Sequence, residues 1–332
     1  MINVFQKIGL FLVNIYPVAL APERRTDLTP AEQKKFQQIR QIVVEVGRKV
    51  GVKDPESVDF RITRKFDLNA CMVGSVASFS GPVMCLANDY FTAFQSPKIL
   101  NDPAYAIWKR CLDELPDDPM QMAEVLARCS PQMRRRIRDL AIEYRAVITP
   151  EELKGVVAHE FGHAKHLHSW KQLFFMIPMA AGAVMAKEVG ATYLGNTSSH
   201  LAALAVFSLG MHQVSQIFER EADEATAVSR TYSLGIASFF KKHLLVELAG
   251  EEDSRRLMKR AKQMIEGVDF ETHPHPAKRV IAALNRKERP AQEISIWEKG
   301  IAFLGGAFLA HEIAVSAAKV WAALFGKKKQ NP

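Results

Sequence analysis

Thr149-Pro-Glu-Glu-Leu-Lys-Gly-Val-Val-Ala-His-Glu-Phe-Gly-His-Ala-Lys-His-Leu167 is the stretch from which the rest of the chain is read. Thr149 can cap a helix, Pro150 suits the first helical position, and Glu152 stands where a capping box has its acidic partner, so a helix start is expected here. Val156, Val157, Ala158 and Phe161 supply apolar surface for burying that helix. His159 and His163, four residues apart, share one helix face and can bind the same zinc ion. Glu160 stands beside them, placed to take a proton from water on that ion. Gly162 lowers helix stability and points to close packing or to access for the metal. The chemistry that uses these residues at this spacing is zinc-assisted hydrolysis of a peptide bond. The alternative, two packed or surface histidines with Glu160 as an i,i+4 partner of another side chain, loses ground once the later motifs are counted.

At 332 residues and 48% apolar composition the chain is expected to fold, as one substantial domain with additions or as two small ones. A formal charge of +8 permits contact with nucleic acid or anionic lipid. The basic residues are scattered and no nucleic-acid motif accompanies them, so nucleic acid is excluded as a partner and lipid headgroups are preferred. Cys71, Cys85, Cys111 and Cys129 form no close pair and no repeated spacing, which argues against a zinc knuckle or a disulfide framework. Four reduced, mostly buried thiols are expected, as in a reducing compartment.

Residues 1–22 read as an apolar helix, too short for an independent span and interfacial or membrane-dipping, with a buried helix as the alternative. Thr29-Pro-Ala-Glu32 opens a second helix with Phe36, Ile39, Ile42, Val43 and Val46 on its apolar face, ending near Gly51. Val58, Phe60 and Ile62 alternate with polar residues as a strand does, and Val83 to Leu86 suit a buried strand after a Gly81-Pro82 turn. Residues 92–148 read as a helical insertion, with helices over Pro103–Leu115, Met120–Ala127 and Pro131–Arg145. The arginines of the last are expected on an ordinary solvated face, a lid or membrane-facing patch being the alternative.

Leu173–Ala186 and Leu201–Met211 are apolar runs separated by Asn196 to Ser199, read here as a turn; residues 172–212 form an apolar helical hairpin, membrane-embedded rather than packed in water. Zinc needs a further protein ligand, and in the run Ser215 to Asp223 three acids qualify by chemistry: Glu219, Glu221 and Asp223. Spacing does not choose among them, and one acid can bind the metal while another holds a ligating histidine. Residues 231–248 suggest another helix, with Phe239, Phe240, Leu244 and Leu245 inside. Either His273 or His275 can face the cleft and donate to oxygen charge formed during peptide attack. Residues 294–332 read as an apolar helix and a basic tail, a last membrane helix or a cover over the domain. His166 and His168 are expected at the surface or behind the metal ligands, mattering less than Glu219.

His159-Glu-Phe-Gly-His163, the apolar hairpin, Glu219-Arg-Glu-Ala-Asp223, and His273-Pro274 with Arg279 together resemble the membrane-associated zinc metallopeptidases that include HtpX-like and CAAX prenyl proteases. The resemblance implies Glu219 as third zinc ligand, Asp223 in a supporting role, and His273 and Arg279 helping with substrate or intermediate charge. Gln216 and Phe218 stand where that family usually has arginines, so its surrounding salt bridges need not carry over. The expected fold is α+β and mainly helical, a zincin-like domain over residues 29–290 with a small sheet. The expected activity is a one-zinc metalloendopeptidase with Glu160 as base and acid, acting on polypeptide laid along an edge strand within residues 58–90. Membrane-associated quality control or processing, intracellular or at an inner membrane with a cytoplasmic active site, is the expected setting. A non-catalytic zinc-binding adaptor of the same fold and a narrower prenyl-protein-processing protease are the alternatives. The sequence carries no signal for an oligomeric state.

Overall fold

The structure, a computed structural model, describes residues 24–63, 70–73, 82–168, 196–267 and 273–291, with residues 171, 175, 182–185, 187 and 188. The helices expected over residues 1–22 and 294–332, and most of the first arm of the hairpin, lie outside the described residues.

Helix α1 (Pro30–Val50) opens on a complete capping box: the Glu32 N–H donates to Thr29 Oγ1, and Glu32 Oε2 accepts from the Thr29 N–H. It buries the expected face through Phe36, Ile39, Val43 and Val46, and stops at Gly51, whose φ of 87° suits glycine. A single turn, Pro55–Ser57, leads into β1 (Asp59–Thr63), followed by β2 (Ala70–Val73) and β3 (Val83–Ala87). The sheet order is β1-β3-β2, with β1 parallel and β2 antiparallel to β3. The central strand β3 is buried at every position, as its unbroken apolar run requires, and β2 forms an edge among the described residues.

Helices α2 (Asn88–Ala93), α3 (Pro97–Leu100), α4 (Pro103–Glu114), α5 (Pro119–Arg128) and α6 (Pro131–Tyr144) follow. The last three each begin with proline behind a capping side chain, Asp102, Asp118 and Ser130 in turn. Trp108, Met122, Leu126 and Ile137 pack with Leu244, Leu248 and Leu257 in a shared core, so these helices are built onto the body of the protein. Arg134 departs from the expected solvated face. It is 2% exposed and donates to the carbonyls of Leu126, Cys129 and Glu252, tying α6 to the loop ahead of a later helix.

The remaining elements are α7 (Pro150–Lys165), α8 (Asn196–Glu224), a short turn of helix Ala225–Val228, α9 (Arg230–Ala249), α10 (Ser254–Glu266) and α11 (Pro276–Asn285). Asn196 to Ser199 do not form the expected turn; they are helical and belong to α8. The α8 helix then runs unbroken from that point through the acidic cluster at Glu219 to Asp223. α7 lies at the centre of the protein, against α1, β2, α8 and α9. Its start uses the predicted capping box, and Gly162 lets it touch α8: a Cβ there would stand 2.6 Å from the Ala222 backbone. The architecture is mainly helical with one small sheet, as expected.

The cysteines depart from expectation in two ways. Cys85 alone is buried, the other three being partly exposed, and Cys71 and Cys85 stand opposite each other across β2 and β3. A strand pairing joins residues 14 apart, which linear spacing does not reveal.

Candidate metal centre

The capped start of α7 sets the phase of the helix, and that phase turns His159 and His163 toward α8. Their Nε2 atoms face each other at 3.1 Å. From α8, Glu219 Oε1 lies 3.3 Å from His163 Nε2, and Oε2 lies 3.4 Å from His159 Nε2. One donor atom from each of the three residues falls within a 4.8 Å spread. Glu219 is 4% exposed, and its Oε2 has no well-directed hydrogen bond among the described residues, although His273 Nδ1 is 3.0 Å away and Arg279 Nη1 3.4 Å. Two facing ring nitrogens and an orphaned carboxylate oxygen form a donor set that fits a divalent ion such as zinc.

Asp223, one turn past Glu219, approaches His159 Nδ1 at 2.9 Å and takes both Nε and Nη2 of Arg279, at 3.0 and 2.7 Å. Arg279 comes from α11 and lies over the Phe240 ring at 3.9 Å, so an aromatic face and a carboxylate fix a guanidinium that is itself buried. Of the two candidate histidines, His273 reaches Glu219. His275 instead caps α11, its Nδ1 accepting from the Ala277 N–H at 3.2 Å, with Nε2 directed to Glu247.

Glu160 is 6% exposed. Burial holds its carboxyl above the ordinary carboxylate range, while the charges of His159 and His163 and a hydrogen bond from the Met72 backbone pull the other way. The contact to Met72 sets Glu160 against the edge strand β2.

Of the three acids that spacing left open, Glu219 therefore lies at the histidine pair and Asp223 behind it, whereas Glu221 turns to His168 and Lys171 at 2.9 and 3.0 Å. His168, buried at 4% exposure, approaches His163 Nδ1 at 2.8 Å. Burial pushes its pKa down to about 3 against the opposing pull of Glu221. Sequence reasoning did not find the pairing of His168 with Glu221, which lie 53 residues apart. Phe218, standing where the resemblance led one to expect arginine, is the ring on which His168 stacks, 4.6 Å away and 8° from parallel.

The fold and this site define a metal-dependent peptidase. The chain matches peptidase family M48 over residues 33–287 and belongs to that family, which includes the HtpX and CAAX metallopeptidases. It is thus a metallopeptidase of zincin-like fold that acts on polypeptide. No curated protein and no solved structure matches the chain.

Proposed function

We propose that this protein is a zinc-dependent metalloendopeptidase, with His159, His163 and Glu219 as the zinc ligands and Glu160 as the catalytic base and acid. The observation that carries the reading is the convergence of three donor atoms within 4.8 Å beside the buried carboxyl of Glu160. Zinc bound there supplies a Lewis acid that acidifies a water and polarises a carbonyl. Glu160 takes the proton of the attacking water and delivers it to the departing amine, a role suited by its buried carboxyl beside the histidine pair. His273 and Arg279 stand on the Glu219 side, where an N–H and a fixed guanidinium offset the negative charge that develops on the carbonyl oxygen. Asp223 holds both Arg279 and the back of His159 in place. An extended peptide adding to the edge of β2 would pass Glu160 and be positioned through its backbone, which suits cleavage within chains of varied sequence.

The proposed setting is a membrane surface, with a cytoplasmic active site and membrane-associated proteins as substrates. Support for the membrane surface is the apolar first half of α8, where Leu201, Leu204 and Leu209 are 63%, 62% and 57% exposed. Thr197–Val228 is long and apolar enough to cross a bilayer by length and composition, but its end carries the buried Glu219 and Asp223 and packs in the body of the protein. The domain limits go with this reading: a catalytic domain over residues 29–290 carrying the helices of 92–148, and apolar terminal segments at 1–22 and 294–332.

The deciding experiment measures cleavage of an unfolded test protein by detergent-purified, zinc-loaded enzyme and by Glu160→Gln, with metal content determined for both. Loss of about 10²–10⁴-fold in rate at equal zinc content is the expected result. Equal cleavage by the two proteins would remove Glu160 from the mechanism.

A further inference from the structure

The last turn of α7 contains a feature that metal binding by His159, His163 and Glu219 does not by itself require. Lys165 is the final helical residue, the His166 N–H returns to the Gly162 carbonyl at 3.0 Å, and Leu167 then adopts a φ of 56°. Leucine seldom enters this left-handed region, and Leu167 is 2% exposed, so the conformation is imposed by its surroundings. Its consequence is directional. On a continued helix a residue five positions past His163 would stand about 140° round the axis. The break instead folds the chain back and brings His168 Nδ1 to 2.8 Å from His163 Nδ1, with the rings nearly perpendicular at 79°.

His168 is held from its other sides as well. Its ring lies flat on Phe218, and its Nε2 meets Glu221 Oε2 at 2.9 Å. The same oxygen accepts from Lys171 Nζ at 3.0 Å, so the carboxylate is itself fixed by a cation. Proton placement along this chain has one self-consistent solution. A carboxylate only accepts, so His168 Nε2 carries hydrogen and its Nδ1 is left with a lone pair. His163 Nε2 faces His159 and Glu219 and must be free of hydrogen to bind a metal, so His163 carries its hydrogen on Nδ1. His163 Nδ1–H therefore donates to His168 Nδ1, and His168 Nε2–H donates to Glu221.

We infer that His168, backed by Glu221 and Lys171, is a positioning residue that fixes the tautomer and ring orientation of the metal ligand His163. The inference rests on the metal-site reading above. It gives the second histidine of the pair an outer partner corresponding to what Asp223 supplies to His159, except that the carboxylate acts through an intervening imidazole. It also accounts for the strained turn at Leu167 and for the separate assignment of Glu219 and Glu221, two residues apart on α8.

Three variants test it: His168→Phe, which keeps a flat ring for Phe218 but removes the acceptor; His168→Asn, which returns an acceptor near the Nδ1 position; and Glu221→Met. Zinc affinity is read by competition with a chromophoric chelator, the ligand field by the visible absorption of the cobalt-substituted protein, and folding by circular dichroism. His168→Phe is expected to weaken zinc binding about 10–100-fold and shift the cobalt band, with Asn restoring most of the loss. Glu221→Met is expected to weaken zinc in the same direction but less. It trims a partly exposed side chain, so it decides the matter should the Phe variant not fold. Parent-like zinc affinity in folded His168→Phe, or in Glu221→Met where the Phe variant is unfolded, would overturn the inference and leave His168 as packing. An Asn variant as weak as Phe would overturn it too. A parent protein that binds neither zinc nor cobalt would instead remove the metal-site reading, and this inference with it.

Discussion

Glu152 and Glu219 are both carboxylates sunk into the centre of the protein, 2% and 4% exposed, yet their surroundings differ in kind. Each oxygen of Glu152 is matched: Oε2 accepts from Lys242 Nζ at 2.6 Å and from the Thr149 N–H at 2.9 Å, and Oε1 from Ser238 Oγ at 2.7 Å. Around Glu219 the nitrogens of His159, His163, His273 and Arg279 approach at 3.0–3.4 Å, and Oε2 still receives no well-directed hydrogen bond among the described residues. A buried carboxylate is stable only when its lost hydration is replaced. The first arrangement replaces it completely within the fold. The second crowds a carboxylate among four nitrogens without a well-directed bond to Oε2, two of them the facing ring nitrogens of His159 and His163, an arrangement that a cation held between those rings and Glu219 would complete. The difference between them separates a structural ion pair from a candidate site.

Lys242→Met removes the cation from a pair whose two side chains are 5% and 2% exposed, and leaves Glu152 charged and uncompensated. A loss of about 3–5 kcal/mol in unfolding free energy is expected, measured by denaturant titration. Zinc affinity of the folded fraction should not change. A matched fall in affinity would show that the two clusters act as one unit.

Asp223→Asn probes the other side. It withdraws the charge that holds Arg279 and meets His159 Nδ1. Zinc affinity is expected to fall about 10–100-fold, equivalent to about 1.4–2.7 kcal/mol, by chelator competition. An unchanged affinity would make Asp223 a partner of the arginine alone.

The first cluster and the second were not equally legible in the sequence. The start of α7 is written locally, in Thr149, Pro150 and Glu152, and so is the face shared by His159 and His163; contacts within one helix follow from spacing. That Glu152 also receives Lys242 was not legible, since the two lie 90 residues apart and meet only when α9 packs against α7. The choice among Glu219, Glu221 and Asp223 failed on spacing for the same reason: partners 50 to 60 residues away decide it, and only the family resemblance selected Glu219. His273 and His275 separate only once α11 is placed, because His275 caps that helix and His273 reaches Glu219 on α8. Arg134 and the Cys71–Cys85 pairing likewise depend on contacts between elements. Asn196 to Ser199 are helical rather than a turn because turn propensity is a weak local preference that the packing of the helix carrying Glu219 overrides.

An orphaned polar atom does not by itself mark a site, as His243 shows. Among the described residues its buried Nε2 has no hydrogen-bond partner and no second ligating group converges on it, and its ring packs against Phe239 at 5.0 Å. Burial, with the charges of Arg145 and Lys242, pushes its pKa down to about 4, while Glu247 and Glu152 pull weakly the other way. A histidine depressed in this way is neutral in the fold and protonated in the unfolded chain between about pH 6.5 and 4. Within that window the unfolded state binds more protons, so stability falls as the pH is lowered and levels off only below the folded-state pKa. Discounted for partial solvent contact, the loss attributable to this residue is about 2 kcal/mol. The measurement is urea unfolding of metal-free parent and His243→Leu at pH 7, 5.5 and 4. Groups common to both proteins, including His159 and His163, cancel in the difference. The parent is expected to lose about 2 kcal/mol more than the variant over this range; parallel curves would show that His243 is protonated in the fold, with a compensating partner, and so resembles Glu152 rather than an isolated buried group.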